Sequence, residues 1–182
     1  MINIESNIEN NGRRGFLMSA AAFALLPLVP GCRPDVSAQT GDADVRRRLL
    51  QNAIADAGCE WCGARDMPQS VAAKAVIAGR DEKGERLIIS GRVFRSDVKT
   101  PAPNTLIYLY HTDLEGIYGR GNEHKHGRFR GWLLTDAEGR YEFETIKPAP
   151  YPAGRTAAHI HMTVTTTETR EDWIDSILFE GD

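Results

Sequence analysis

The chain has 182 residues, 41% of them hydrophobic, and a formal charge of −3 at pH 7. That size suits one domain around one core. The mildly acidic balance, without a basic block, excludes nucleic acid as the partner.

The first 31 residues read as an address rather than as part of the fold. Arg13-Arg14-Gly15-Phe16-Leu17 is a twin-arginine pattern, and an apolar run from Phe16 to Val29 follows it. The run falls short of the roughly 20 residues a membrane-crossing helix needs, and Pro27 interrupts it. A paired-Arg start, a short apolar stretch and small residues beyond it describe a signal peptide for export by the twin-arginine route. Gly31-Cys32 resembles a lipoprotein cleavage box, although Pro30 stands where that pattern carries a small residue. A lipidated Cys32 would tether the protein to a membrane. The alternative is ordinary cleavage nearby and a soluble periplasmic product.

Residues 33–43, rich in Pro, Ser, Gly and Asp, read as a tether. Residues 44–57 have helical composition, with Val45, Leu49, Leu50 and Ile54 at helical spacing. Loop-rich sequence runs to a turn at 81–84 and completes an N-terminal extension over 32–85. Within it, Cys59-Glu60-Trp61-Cys62 fits redox or metal chemistry in the cytosol and a structural disulfide outside it. A structural zinc site would need a second cysteine pair, which the sequence lacks.

From residue 86 onward the pattern is one of strands. Segments 87–94, 105–111, 132–135, 140–146, 158–167 and 174–179 are rich in β-branched and aromatic residues. Asp136-Ala137-Glu138-Gly139 carries turn chemistry between two of them. Short strands, punctuated turns and no alternating helices predict an all-β sandwich over 86–182.

The segment richest in chemistry is Ala158-His159-Ile160-His161-Met162-Thr163-Val164. On a strand, alternate side chains share a face. Ile160, Met162 and Val164 then turn to the core, and His159, His161 and Thr163 turn the other way. A His-x-His pair alone fits a surface role as well as metal binding. Its company adds weight: Tyr118 follows a strand in Glu115-Gly116-Ile117-Tyr118, and Tyr151 lies between two prolines, eight residues before His159. Proline on both sides stiffens that loop. The second His-x-His, His124-Lys125-His126, reads as a solvated loop, and His111 as a residue that satisfies backbone groups. Tyr108, Tyr110, Trp132 and Tyr141 read as core or pocket wall.

These segments together resemble the intradiol ring-cleavage dioxygenases, the family of catechol and protocatechuate dioxygenases. The resemblance runs from about Leu87 to Asp182. It includes Ser90-Gly91-Arg92-Val93, Gly116-Ile117-Tyr118, Arg130-Gly131, Thr135 to Tyr141, Ile146-Lys147-Pro148, Pro150-Tyr151-Pro152, Ala158-His159-Ile160-His161 and Phe179-Glu180-Gly181-Asp182. It implies a ferric ion held by Tyr118, Tyr151, His159 and His161, with Tyr118 and His159 equatorial and Tyr151 and His161 axial. Phenolate, a hard anionic donor, suits ferric iron better than zinc. The resemblance further implies a catecholic substrate, O2 as co-substrate, and Tyr151 as a residue able to accept a substrate proton.

Two departures from the family pattern stand out. An Arg usual three residues before the first ligand His is Thr156 here, and Arg155 lies one residue earlier. A one-residue shift on a strand turns a side chain to the other face; in a loop Arg155 can still reach, which makes it a catalytic candidate. Relatives also continue past the equivalent of Asp182, so an edge of the sandwich or pocket is expected to be less covered. Two other readings stay open. One is a metal-containing sandwich redirected to binding or carriage. The other is a zinc hydrolase using His159, His161 and a carboxylate, which leaves both tyrosines without a role.

Overall fold

The structure is a computed structural model and describes residues 3–10, 43–56, 58–154 and 156–179. The twin-arginine motif, the apolar run, Cys32, the tether and Arg155 lie outside the described residues. Eight strands form two four-stranded sheets. The first sheet has the order β1-β3-β6-β2, from Asn3–Asn10 (β1), Arg86–Phe94 (β3), Arg140–Ile146 (β6) and Lys74–Val76 (β2). The second has the order β5-β4-β7-β8, from Arg130–Leu134 (β5), Leu106–His111 (β4), His159–Thr165 (β7) and Asp172–Leu178 (β8). All pairings are antiparallel except that of β2 with β6.

This is the expected sandwich, and the alternation of apolar residues explains it. Leu87, Ile89, Val93, Tyr141 and Phe143 of the first sheet meet Ile107, Leu109, Leu133, Ile160, Met162 and Val164 of the second. Asp136 shapes the β5–β6 turn, its carboxylate accepting from the backbone N–H groups of Glu138 at 3.0 Å and Arg140 at 2.7 Å. Every one of the six predicted strands is present, with ends shifted by one or two residues.

The second sheet is covered on its outer face too. Helix α1, Ala43–Asn52, and a single 3-10 turn, Ala64–Asp66, lie over it. Leu49, Ala53, Ala64, Met67 and Val71 there pack on Leu106, Leu134 and the half-buried Trp132. The helix stops five residues before the predicted end because the chain is captured from a distance. Asn52's carbonyl accepts from Glu171 N–H at 2.9 Å, and Ile54 N–H donates to the Glu171 carboxylate at 3.1 Å.

Two strands were not anticipated. β2 is three residues long, too short to show alternation, and exists by pairing with β6. β1 falls in the segment assigned to the leader; it runs along the whole of β3, Asn3 opposite Phe94 through Asn10 opposite Leu87. Its Asn, Glu and Ser content is poor in strand formers. Among the described residues no helix is long and apolar enough to cross a membrane.

Candidate metal centre

The site is built on the outer face of β7. The register that sends Ile160 and Met162 inward leaves His159 and His161 side by side on the other face, their Nε2 atoms 2.9 Å apart. Tyr151 reaches the same point from the loop between β6 and β7, its phenol oxygen 3.1 Å from His159 Nε2 and 3.3 Å from His161 Nε2. Tyr118, from the long β4–β5 connection, closes the set with a very short hydroxyl contact to Tyr151. Four residues singled out in the sequence thus converge on one point.

Two close backbone approaches make the convergence possible. Gly116, with φ of +76°, lies against the carbonyl of Pro150, the residue before Tyr151. Gly127, with φ of +68°, lies against the backbone of Tyr118, and a Cβ there would overlap the Tyr118 carbonyl. Left-handed backbone and absent side chain are both required. Gly127→Ala should therefore displace Tyr118 and cost about 1–3 kcal/mol in backbone strain. Metal occupancy after iron loading, by elemental analysis, should fall well below wild type, while the far-UV signature of the sandwich persists.

The protonation states favour cation binding. His159 Nδ1 lies 2.7 Å from the Ala157 carbonyl, which can only accept, so Nδ1 carries the proton and Nε2 a free lone pair. His161 Nδ1 lies 3.1 Å from the Ser176 hydroxyl. Burial, and next the neighbouring His159 and His126, lower the His161 pKa to about 4, so its imidazole is neutral at pH 7. Burial, and next the Tyr151 hydroxyl, hold the Tyr118 phenol well above its ordinary value. A nearby cation reverses that preference by favouring the phenolate. Two imidazoles and two phenols form a donor set suited to ferric iron. Among the described residues no group of three or more His, Cys, Asp and Glu could hold a metal ion. Among the described residues, the zinc-hydrolase reading therefore finds no carboxylate to join His159 and His161.

Beside the donors lies a cleft of about 500 Å3, lined by Glu60, Trp61, Tyr110, Tyr118, Lys125, His126, Tyr151, His161 and Trp173. Tyr110 contributes a wall, as expected, and Tyr141 is in the core. His111 is buried; its Nδ1 donates to the Thr112 carbonyl at 2.7 Å and its Nε2 meets Thr145 Oγ1 at 2.7 Å. His126 departs from the sequence reading. It is 3% exposed, not solvated, and its ring stacks on Tyr110 with centroids 3.9 Å apart. His126 Nε2 donates to the Glu60 carbonyl at 2.6 Å, which leaves Nδ1 to accept from Tyr108 Oη at 2.5 Å. Its Gly-flanked, polar sequence context hid this, because its partners lie 18 and 66 residues away.

Cys59 and Cys62 form a disulfide, their Cα atoms 5.6 Å apart. Thr156 is exposed.

A family model described as Dioxygenase matches residues 67–182, more than half of the chain. The chain belongs to this dioxygenase family. Its curated relatives include the protocatechuate 3,4-dioxygenase beta chain of Burkholderia cepacia, 30% identical over 120 residues, covering 60% of this chain and 51% of the relative. Catechol 1,2-dioxygenase of Acinetobacter baylyi is 31% identical over 123 residues, covering 57% of this chain and 39% of the relative. The chain thus spans about half, or less, of the length of these relatives. Among solved dioxygenases, the mercury-inhibited catechol 1,2-dioxygenase of an Acinetobacter species superposes with a TM-score of 0.52 at 28% identity, over 62% of this chain and 42% of that one. The matched region of the chain holds seven of the eight described strands and all four convergent residues.

Proposed function

We propose that this protein is a ferric iron-dependent dioxygenase that opens catecholic rings between their two hydroxylated carbons. The observation that carries the proposal is the meeting of Tyr118, Tyr151, His159 and His161 at one point beside an aromatic-lined cleft. Relatives named for catechol, hydroxyquinol and chlorocatechol 1,2-dioxygenase activity support it. Ferric iron, bound by these four donors, would supply the Lewis acidity that makes a bound catechol reactive toward O2.

The protein's own contribution is placement and proton handling. Tyr151 sits between Tyr118 and both imidazoles, so its oxygen is the one placed to take a proton from a substrate hydroxyl. Tyr110, stacked on His126, presents a rigid ring 4.7 Å from His161 and limits where a flat substrate can lie. Trp173, itself partly open to solvent, lies against the His161 ring with centroids 4.7 Å apart. Arg155 is the residue we assign, within this proposal, to balance negative charge developing on the substrate.

Product analysis under isotopically labelled O2 tests the reading. The iron-loaded protein should convert a catechol to a muconate-type diacid carrying both labelled atoms. A semialdehyde, formed by opening beside the hydroxyl pair, would place the protein in another mechanistic class. A coloured, iron-loaded protein that binds catechols and turns none over would favour the binding-protein reading instead.

A further inference from the structure

The family match begins at residue 67, yet the cleft is completed by residues before it. Segment 58–64 crosses the outer face of the second sheet as a strap, held at many points. The disulfide closes it at Cys59 and Cys62. The Glu60 carbonyl accepts from His126 at 2.6 Å and from the Tyr110 hydroxyl at 3.4 Å. The Lys125 ammonium donates to the Cys59 carbonyl, and Trp132 Nε1 to the Gly63 carbonyl at 2.8 Å. Gly63 and Ala64 N–H groups donate to the buried Glu171 carboxylate at 3.0 and 3.1 Å.

What this anchoring presents is Trp61. Its indole is only half-buried, lines the cleft, and meets Trp173 edge to face with centroids 6.3 Å apart. The two indoles form an apolar corner opposite the Tyr110–His126 stack. The rim charges, Glu60 and Lys125, are of opposite sign, and the Lys125 ammonium is already engaged by a carbonyl. The wall therefore offers mainly aromatic surface, with the exposed Glu60 carboxylate at its rim. A cleft of about 500 Å3 lies in the range of roughly 300–1,000 Å3 that encloses drug-sized ligands, and leaves space beyond a bare dihydroxybenzene.

We propose that Trp61 is a specificity-determining residue, and that with Trp173 it selects catechols bearing a flat apolar substituent such as a second aromatic ring. The inference rests on the function proposed above, with the donors taking the two hydroxyls and the indole corner taking the substituent. Edge or face contact between aromatic rings accounts for preferences of roughly two- to tenfold beyond area burial.

The test uses the iron-loaded full chain under anaerobic conditions. Catechol and 4-phenylcatechol are titrated while the visible tyrosinate-to-iron absorption reports binding, and the ratio of the two Kd values is the readout. Wild type should favour 4-phenylcatechol. Trp61→Ala should lower that ratio by roughly two- to tenfold, and Trp61→Phe should restore most of it. Trp61→Leu, which keeps apolar bulk without a ring, replaces the alanine variant if that one does not fold. A folded alanine or leucine variant with the wild-type ratio would overturn the assignment of Trp61. A wild type that binds both catechols equally would overturn the inference while leaving the proposed function standing. A wild type that binds neither would overturn both.

Discussion

Tyr118→Phe should change or abolish the visible absorption of the iron-loaded protein and reduce catechol cleavage by about 100-fold or more, with the sandwich intact. The substitution deletes one oxygen and keeps the ring. Tyr118 therefore retains its aromatic neighbours Tyr110, Tyr151 and His161, at centroid distances of 5.5, 5.8 and 6.0 Å. On the proposed reading it would lose one of two phenolate donors that together offset two of the three charges of a ferric ion in a partly buried site. Disturbing a metal's outer partners already costs 10–100-fold in affinity or activity, and removal of a ligand should cost at least as much. Tyr110→Phe is the matched control, since the Tyr110 hydroxyl reaches only the Glu60 carbonyl, at 3.4 Å. Visible absorption and iron content measured on both variants decide the matter. A Tyr118→Phe protein with wild-type colour and iron would remove Tyr118 from the donor set.

Glu171→Ala should be the most damaging substitution away from the centre. Glu171 is 3% exposed, and its carboxylate accepts from the N–H groups of Ile54, Gly63 and Ala64 and from the Thr163 hydroxyl. Truncation strands these donors where water does not readily replace the acceptor, at about 1–3 kcal/mol for each group left unsatisfied. A net loss of about 3 kcal/mol or more corresponds to a fall in Tm of roughly 10 °C for a domain of this size. Glu171→Gln keeps one acceptor oxygen but turns an amide toward an N–H group, so it should fall between. The exposed Lys74–Glu142 pair offers the contrast, because surface ion pairs contribute about 0–1 kcal/mol. Thermal unfolding of Glu171→Ala, Glu171→Gln and Lys74→Ala gives the order directly. Equal, small effects for all three would show that the carboxylate does not secure the strap.

The contrast between these two residues marks where sequence reading succeeds. Local pattern drew attention to Tyr151, His159 and His161, and the family resemblance joined Tyr118 to them. A period of two on β7 separates histidines from core residues, and prolines bracket Tyr151. The β-sandwich was legible for the same reason, its strands being short alternating runs between turn residues. Glu171 gave no signal, because its role exists only through partners as far as 117 residues away in the chain. His126 was misread for the same cause. β2 was too short for a pattern, and β1 contains few strand formers. Trp61 was visible as part of the Cys59–Cys62 segment, but its position at the cleft depends on how that segment docks. Alternation belongs to the chain's own neighbours, whereas docking belongs to the whole fold.

The division of labour between the sandwich and the strap bears on how such a protein can change. Two of the four convergent residues, His159 and His161, stand on a strand whose opposite side is the core, so β7 cannot drift far without loss of stability and of the convergence. The strap carries none of the donors and adds little to the core between the sheets. Its length and its central aromatic can vary at small cost, provided the anchors around Glu171 and His126 remain. On the proposed function, substrate range would be open to selection through residues 58–64, which lie ahead of the matched family region, while the convergent residues are held constant. Exchanging segment 58–64 between related chains would be the economical way to retarget the cleft.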